Sequence, residues 1–154
     1  MPNVKKSKKV QPSTTYTNMF LAYAAFWRRG FTEWAGTSSR SEFWWTTLVN
    51  VLIYMIWGIL VVMGMAIDFA FSGDVSVMFG LMILLGVIYS LAIAIPLISL
   101  RTRRLHDAGL SAWWWFIYAL CVIPFLSIFA SVVMFVFSLL PTKVADNPYH
   151  KFNK

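Results

Sequence analysis

The chain alternates between long uncharged apolar runs and short polar breaks. The first run, 43–67, holds 25 residues without a charge, and two more cover 75–100 and 113–140. About 20 apolar residues carry a helix across the hydrocarbon core, so each run is long enough to span a bilayer. Upstream the pattern changes. Tyr16, Phe20, Tyr23, Trp27, Phe31 and Trp34 recur at steps of three or four, which is one aromatic stripe on a helix over 16–34. Arg28 and Arg29 flank the stripe, and Gly30 offers a break. Polar-tipped aromatic rings and basic residues favour the headgroup level, so this amphipathic helix is expected to lie on the membrane. Packing against the rest of the protein is the competing reading.

The third run is the ambiguous one. Its 28 residues would reach about 42 Å as one helix, against a core of about 30 Å, and Pro124 stands near its middle. A single tilted span kinked at Pro124 would put the C-terminus outside. A break there would make a short hairpin, giving four membrane helices and a C-terminus inside. The halves are short for two crossings, which favours three transmembrane helices; Lys143, Lys151 and Lys154 favour the hairpin. The expected fold is thus an all-α integral membrane protein, with one membrane domain over 16–150 and a tail at 151–154.

Charge orients it. Residues 1–42 carry seven Lys/Arg and 101–107 carry three Arg, whereas the turn at 68–76 holds only Asp68 and Asp74. By the positive-inside rule the N-terminus and the 101–112 loop face the cytoplasm. Lys5, Lys6, Lys8 and Lys9 have no apolar stretch directly after them, so 1–15 reads as a disordered basic tail and not as a signal peptide. Charged residues make up 12% of the chain, about half the share of a soluble domain. The basic groups flank apolar spans instead of forming one soluble face, which argues against nucleic acid and for anionic lipid. Cys121 is the one cysteine and cannot form an intramolecular disulfide.

Inside the spans, Asn50 needs a partner in lipid and is expected to face another helix. Gly86, Ser90 and Ala94 set three small side chains on one helical face. Pro96 frees the carbonyl of Ala92. Six tryptophans fall at expected interfaces and read as anchors: Trp27, Trp34, Trp44, Trp45, Trp113 and Trp114.

Three stretches resemble a known family. Trp34-Ala35-Gly36-Thr37-Ser38-Ser39-Arg40-Ser41-Glu42-Phe43-Trp44 is similar to a pattern aromatic-x-Gly-Arg-x-x-Arg-x-Glu-aromatic-Trp ahead of the first span. Arg103-Arg104-Leu105-His106-Asp107, with Gly109, Ser111, Trp113 and Trp114, looks like the signature Arg-Arg-Leu-His-Asp-x-Gly-x-Ser-x-Trp-Trp. Asn147-Pro148-Tyr149 is like an ending Asn-x-Tyr-Gly. Together these resemble the domain of unknown function 805 family of small multipass bacterial membrane proteins, over about 20–150. Thr37 stands where that pattern has Arg, and His150 where it has Gly. The resemblance implies a bacterial plasma-membrane location and a shared architecture, and it supplies no activity.

The candidate site is Arg101, Arg103, Arg104, His106 and Asp107, with Arg40 and Glu42 on the same membrane side. Arginine suits phosphate or carboxylate, and His106 with Asp107 could move protons. The structural alternative is pairing: Arg103 with Asp107 on one helix, and Arg40 and Glu42 with the Asp107/Arg104 cluster. No nucleophile–base set, two-His metal spacing, phosphate loop or cofactor motif is present. The spans contain no ionisable group of the kind ion routes need. The expected function is a non-enzymatic membrane module that binds anionic lipid or a membrane partner through its basic cytoplasmic face. A small oligomeric channel or transporter and a lipid-headgroup enzyme are the alternatives, and a homo-oligomer is a possible form.

Overall fold

A computed structural model describes residues 13–72, 77–119 and 124–152. Residues 1–12 of the basic tail, Gly73 and Asp74 of the polar turn, Cys121 and Lys154 lie outside the described residues. Every regular element within them is helical: α1 (Met19–Gly30), α2 (Arg40–Ser72), α3 (Val77–Asp107), a 3-10 turn (Ala112–Trp115), α4 (Phe116–Ala119), α5 (Pro124–Leu139) and a closing 3-10 turn (Pro148–Phe152).

The two long helices carry the fold. Both are long and apolar enough to cross a membrane, because a helix satisfies all its backbone groups internally where no water can. They run antiparallel. The Asn50 Oδ1 accepts the Tyr89 hydroxyl at 3.0 Å, the Trp57 ring covers Gly86, and Gly64 meets Met78. The Tyr54 and Ser90 hydroxyls stand 3.1 Å apart. Asn50 also donates to the Thr46 carbonyl at 2.8 Å, so its amide is used on both sides. At the far end the buried Asp68 accepts the Phe79 N–H at 3.0 Å, closing one of the orphan donors in the first turn of α3.

One flank of α1 packs on the rest of the protein. The helix runs alongside α3 and parallel to it. The Tyr23 and Tyr89 hydroxyls are 2.9 Å apart, and seven residues later Gly30 lies against Pro96. The physical reason lies on the flank of the stripe: Ala22, Ala25, Phe26 and Gly30 are buried, and Phe26 forms a core with Ile93 and Leu100. Tyr23 and Trp27 pack on that core, while Phe20, Phe31 and Trp34 remain exposed. Asn18 caps the helix by accepting the Phe20 N–H.

Over its described residues the segment 113–140 is divided among the 3-10 turn, α4 and α5. Pro124 opens α5 as its first residue, a position where the missing N–H costs nothing. The Lys143 N–H then donates to the Asp107 carbonyl at 2.9 Å, so the chain leaves the end of α3 and returns to it. Arg104 fixes the return by donating to the Ser138 carbonyl at 3.2 Å and to the Leu140 carbonyl, acceptors left over where α5 ends.

Candidate functional site

The three motif stretches meet at one end of the α2–α3 pair. The middle stretch shows why its spacing takes the form it does. Gly109 ends α3 in the left-handed region at φ 78°, where a side chain would be strained. Its N–H donates to the His106 carbonyl at 3.0 Å, and the Leu110 N–H to the Leu105 carbonyl at 2.9 Å, the double closure of a Schellman end. Ser111 caps the next turn by accepting the Trp113 N–H. Trp113 and Trp114 follow, exposed.

Glu42 is the centre of the first ion cluster. Its carboxylate receives Arg29 Nη1 at 2.6 Å on one oxygen and Arg103 Nη1 at 2.9 Å on the other. Arg29 also donates to Glu33 at 2.7 Å and to the Thr37 carbonyl at 2.9 Å. Burial opposes the charge on Arg29, but Glu42 and Glu33 outweigh it and hold the guanidinium above its usual pKa. The Ser38 N–H donates to the Arg103 carbonyl at 3.1 Å, tying the 34–44 stretch to α3 along the backbone as well.

Asp107 is the centre of the second cluster. One oxygen receives Arg104 Nη1 at 2.6 Å and the Thr142 hydroxyl at 2.6 Å. The other faces His150 Nε2 at 3.8 Å. The Asn147 side-chain amide donates to the carbonyls of His106 and Lys143, both at 2.8 Å, and its oxygen accepts the Tyr149 N–H at 3.0 Å. The Tyr149 ring stacks flat on His106, 3.9 Å between centroids, and His106 Nδ1 is 3.3 Å from the Gly36 carbonyl oxygen.

The Glu42 and Asp107 clusters together latch the three stretches to the end of α3, and of the seven candidate residues five sit inside this latch. Arg103, Arg104, Glu42, His106 and Asp107 are buried, whereas Arg40 is exposed and Arg101 half-buried. The pairing differs from the helical spacing considered above: Arg103 bonds Glu42 across helices, and Arg104, not Arg103, takes Asp107. Arg29, Asn147, Tyr149 and His150 join the latch with no spacing rule pointing to them; the Asn-x-Tyr ending was the available signal for two of them. Among the expected anchors, Trp45 donates to the Tyr16 carbonyl at 3.2 Å, and Trp44 packs edge-on to Phe135.

Thr37, His150 and Asp107 stand in nucleophile–base–orienter order. Thr37 Oγ1 is 3.5 Å from His150 Nδ1, and all three side chains are at most 2% exposed. Thr37 is fully buried in this row. Among the described residues no group of three or more His, Cys, Asp or Glu could hold a metal ion.

Residues 31–151 match the model of a family of proteins of unknown function, DUF805, a range that takes in every member of the latch beyond Arg29. The chain belongs to the DUF805 family. It is also similar to "Inner membrane protein YhaH" of Escherichia coli strain K12 and of Escherichia coli O157:H7. Each is 28% identical over 98 residues, 64% of this chain and 70% of the relative. No solved structure matches. This DUF805 chain is therefore a membrane protein, and the latch draws residues from all three stretches that resemble the family. Its two departures from the motif pattern, Thr37 and His150, are the pair that touch each other.

Proposed function

We propose that the protein is a non-enzymatic, multi-pass module of a bacterial inner membrane, with both termini cytoplasmic and a basic cytoplasmic face that engages anionic lipid or a membrane partner. The observation that carries this reading is how charge is divided at the latch end. Arg29, Arg103 and Arg104 turn inward and are matched by Glu33, Glu42 and Asp107. Arg28, Arg40 and Lys143 stay exposed at the same end, against the exposed Asp146. The other end of the pair offers Asp68 alone among the described charged residues. An orientation with the latch in the cytoplasm satisfies the positive-inside rule and presents those bases to an anionic leaflet.

In this reading α2 and α3 cross the bilayer. The α4–α5 segment dips in from the cytoplasmic side and returns; α5, with 16 residues, reaches about 24 Å and falls short of a comfortable crossing. Reporter fusions test it. A cytoplasm-dependent reporter is active both before Met1 and after Lys154, and the purified protein carries anionic phospholipid in excess over its share of the membrane. A reporter after Lys154 that works only outside the cytoplasm overturns the topology, and lipid carried in bulk proportion overturns the binding.

A further inference from the structure

α5 does not close against α2 and α3 along its whole length. A crevice of about 310 Å³ remains between the three helices, lined by Phe43 and Trp44 of α2, Arg101 of α3, and Ser131, Met134 and Phe135 of α5. We propose that this crevice is a binding site for one anionic phospholipid, with the phosphate on Arg101 and an acyl chain laid along α5 toward Ser131. This deepens the lipid-binding reading above and rests on it.

Three observations support this occupant. The first is level. Arg101 is the first charge after the 75–100 run, and Phe43 opens the 43–67 run, so both mark the boundary between headgroup and hydrocarbon. Ser131 lies two turns of α5 before Ser138, about 10 Å deeper by helical rise. The crevice thus has a guanidinium at the headgroup level and an aromatic and thioether wall below it. The size suits a single chain, since ligand sites begin at about 300 Å³.

The second is charge. Arg101 and Arg104 line a smaller recess beside the crevice, and Arg40 lies within electrostatic reach of Arg104. Asp107 is the acid bonded to Arg104. Guanidiniums grouped at this level suit a phosphate, which they bind through paired N–H donors. The third is access. Phe129, Val132, Phe135 and Leu139 are exposed on α5, so the crevice adjoins an apolar surface and a lipid reaches it sideways from the bilayer. The Trp44–Phe135 contact, edge-on at 5.8 Å, gives it a rigid wall.

Native mass spectrometry of the full chain released from vesicles of equal phosphatidylglycerol and phosphatidylcholine tests this. The variants are Arg101→Gln, which removes the charge, and Ser131→Trp, which fills the crevice from an exposed position. Neither residue belongs to the latch, and unchanged thermal unfolding checks that each variant folds. The expected result is retention of phosphatidylglycerol over phosphatidylcholine by the unaltered chain, with a loss of about tenfold in either variant, the size of one charge-assisted contact. Retention equal to the unaltered chain in both variants overturns the crevice and leaves the broader reading standing. Loss in Arg101→Gln with full retention in Ser131→Trp also overturns it, since the phosphate then binds at the surface without a seated chain. No preference for phosphatidylglycerol in the unaltered chain overturns both.

Discussion

Arg103 Nη1 lies 2.9 Å from Glu42 Oε1 across 61 residues of sequence, and neither side chain is exposed. The pair joins the first turn of α2 to the last turns of α3, so it fixes the open end of a two-helix unit that has little other core. A buried pair adds little when made, but costs about 3–5 kcal/mol when one partner is removed, because the other charge stays buried and uncompensated. Glu42→Gln strands two guanidiniums, Arg29 and Arg103. Its unfolding free energy in detergent is expected to fall by about 3–5 kcal/mol. A fall below about 1 kcal/mol would place the pair among solvated surface pairs.

Asn147 makes a different kind of link. Its amide satisfies two carbonyls from separate elements, those of His106 and Lys143, and its oxygen starts the turn that brings Tyr149 onto His106. Asn147→Ala leaves the Lys143 carbonyl without this donor and the His106 carbonyl with the Gly109 N–H alone, a cost of about 1–3 kcal/mol before relaxation. The expected signature is local. Limited proteolysis after Leu140 accelerates in Asn147→Ala while the α2–α3 pair stays intact. Uniform acceleration along the chain would show that Asn147 supports the whole fold and not the C-terminal segment alone.

The sequence makes the membrane class and the two long helices legible because 25-residue uncharged runs have no other stable use. The latch was half legible. The ordering Arg103 to Trp114 marked the segment, but which arginine meets which acid depends on α1, whose buried flank of Ala22, Ala25 and Phe26 is masked by a more conspicuous aromatic stripe. The third segment is less legible, for a physical reason. Counting apolar residues measures reach, whereas the path was decided by Pro124 starting a helix and by Arg104 binding the carbonyls at Ser138 and Leu140. Neither effect appears in a hydropathy pattern.

Thr37 and His150 make a coupled prediction. They depart from the motif pattern, where Arg and Gly stand, and their side chains are 3.5 Å apart in a closed space. Thr37→Arg alone forces a long cation against the His150 ring, an overpacked site costing about 1–3 kcal/mol. Adding His150→Gly removes the ring and opens that volume. The double variant is expected to recover at least half of the loss seen in Thr37→Arg, and a double-mutant cycle on thermal unfolding measures the coupling. Additive losses would mean that the two departures arose without regard to each other.

Gly30 sets two opposed effects in competition. At the end of α1 an alanine gains about 1 kcal/mol of helix propensity over glycine. Yet a Cβ there would lie 2.5 Å from Pro96 Cβ and 2.7 Å from Pro96 Cα. Pro96 cannot rotate away, since its ring is fixed to the backbone of α3. The clash is relieved by shifting α1 off α3, which strains Tyr23–Tyr89 and the Phe26–Ile93 core on the same face. Overpacking of this kind costs about 1–3 kcal/mol, so the clash outweighs the propensity gain. Gly30→Ala is expected to unfold at a lower temperature than the unaltered chain, and Gly30→Val lower still. If Gly30→Ala unfolds at a higher temperature instead, α1 is free to slide on α3, and the close approach at Pro96 does not hold it in place.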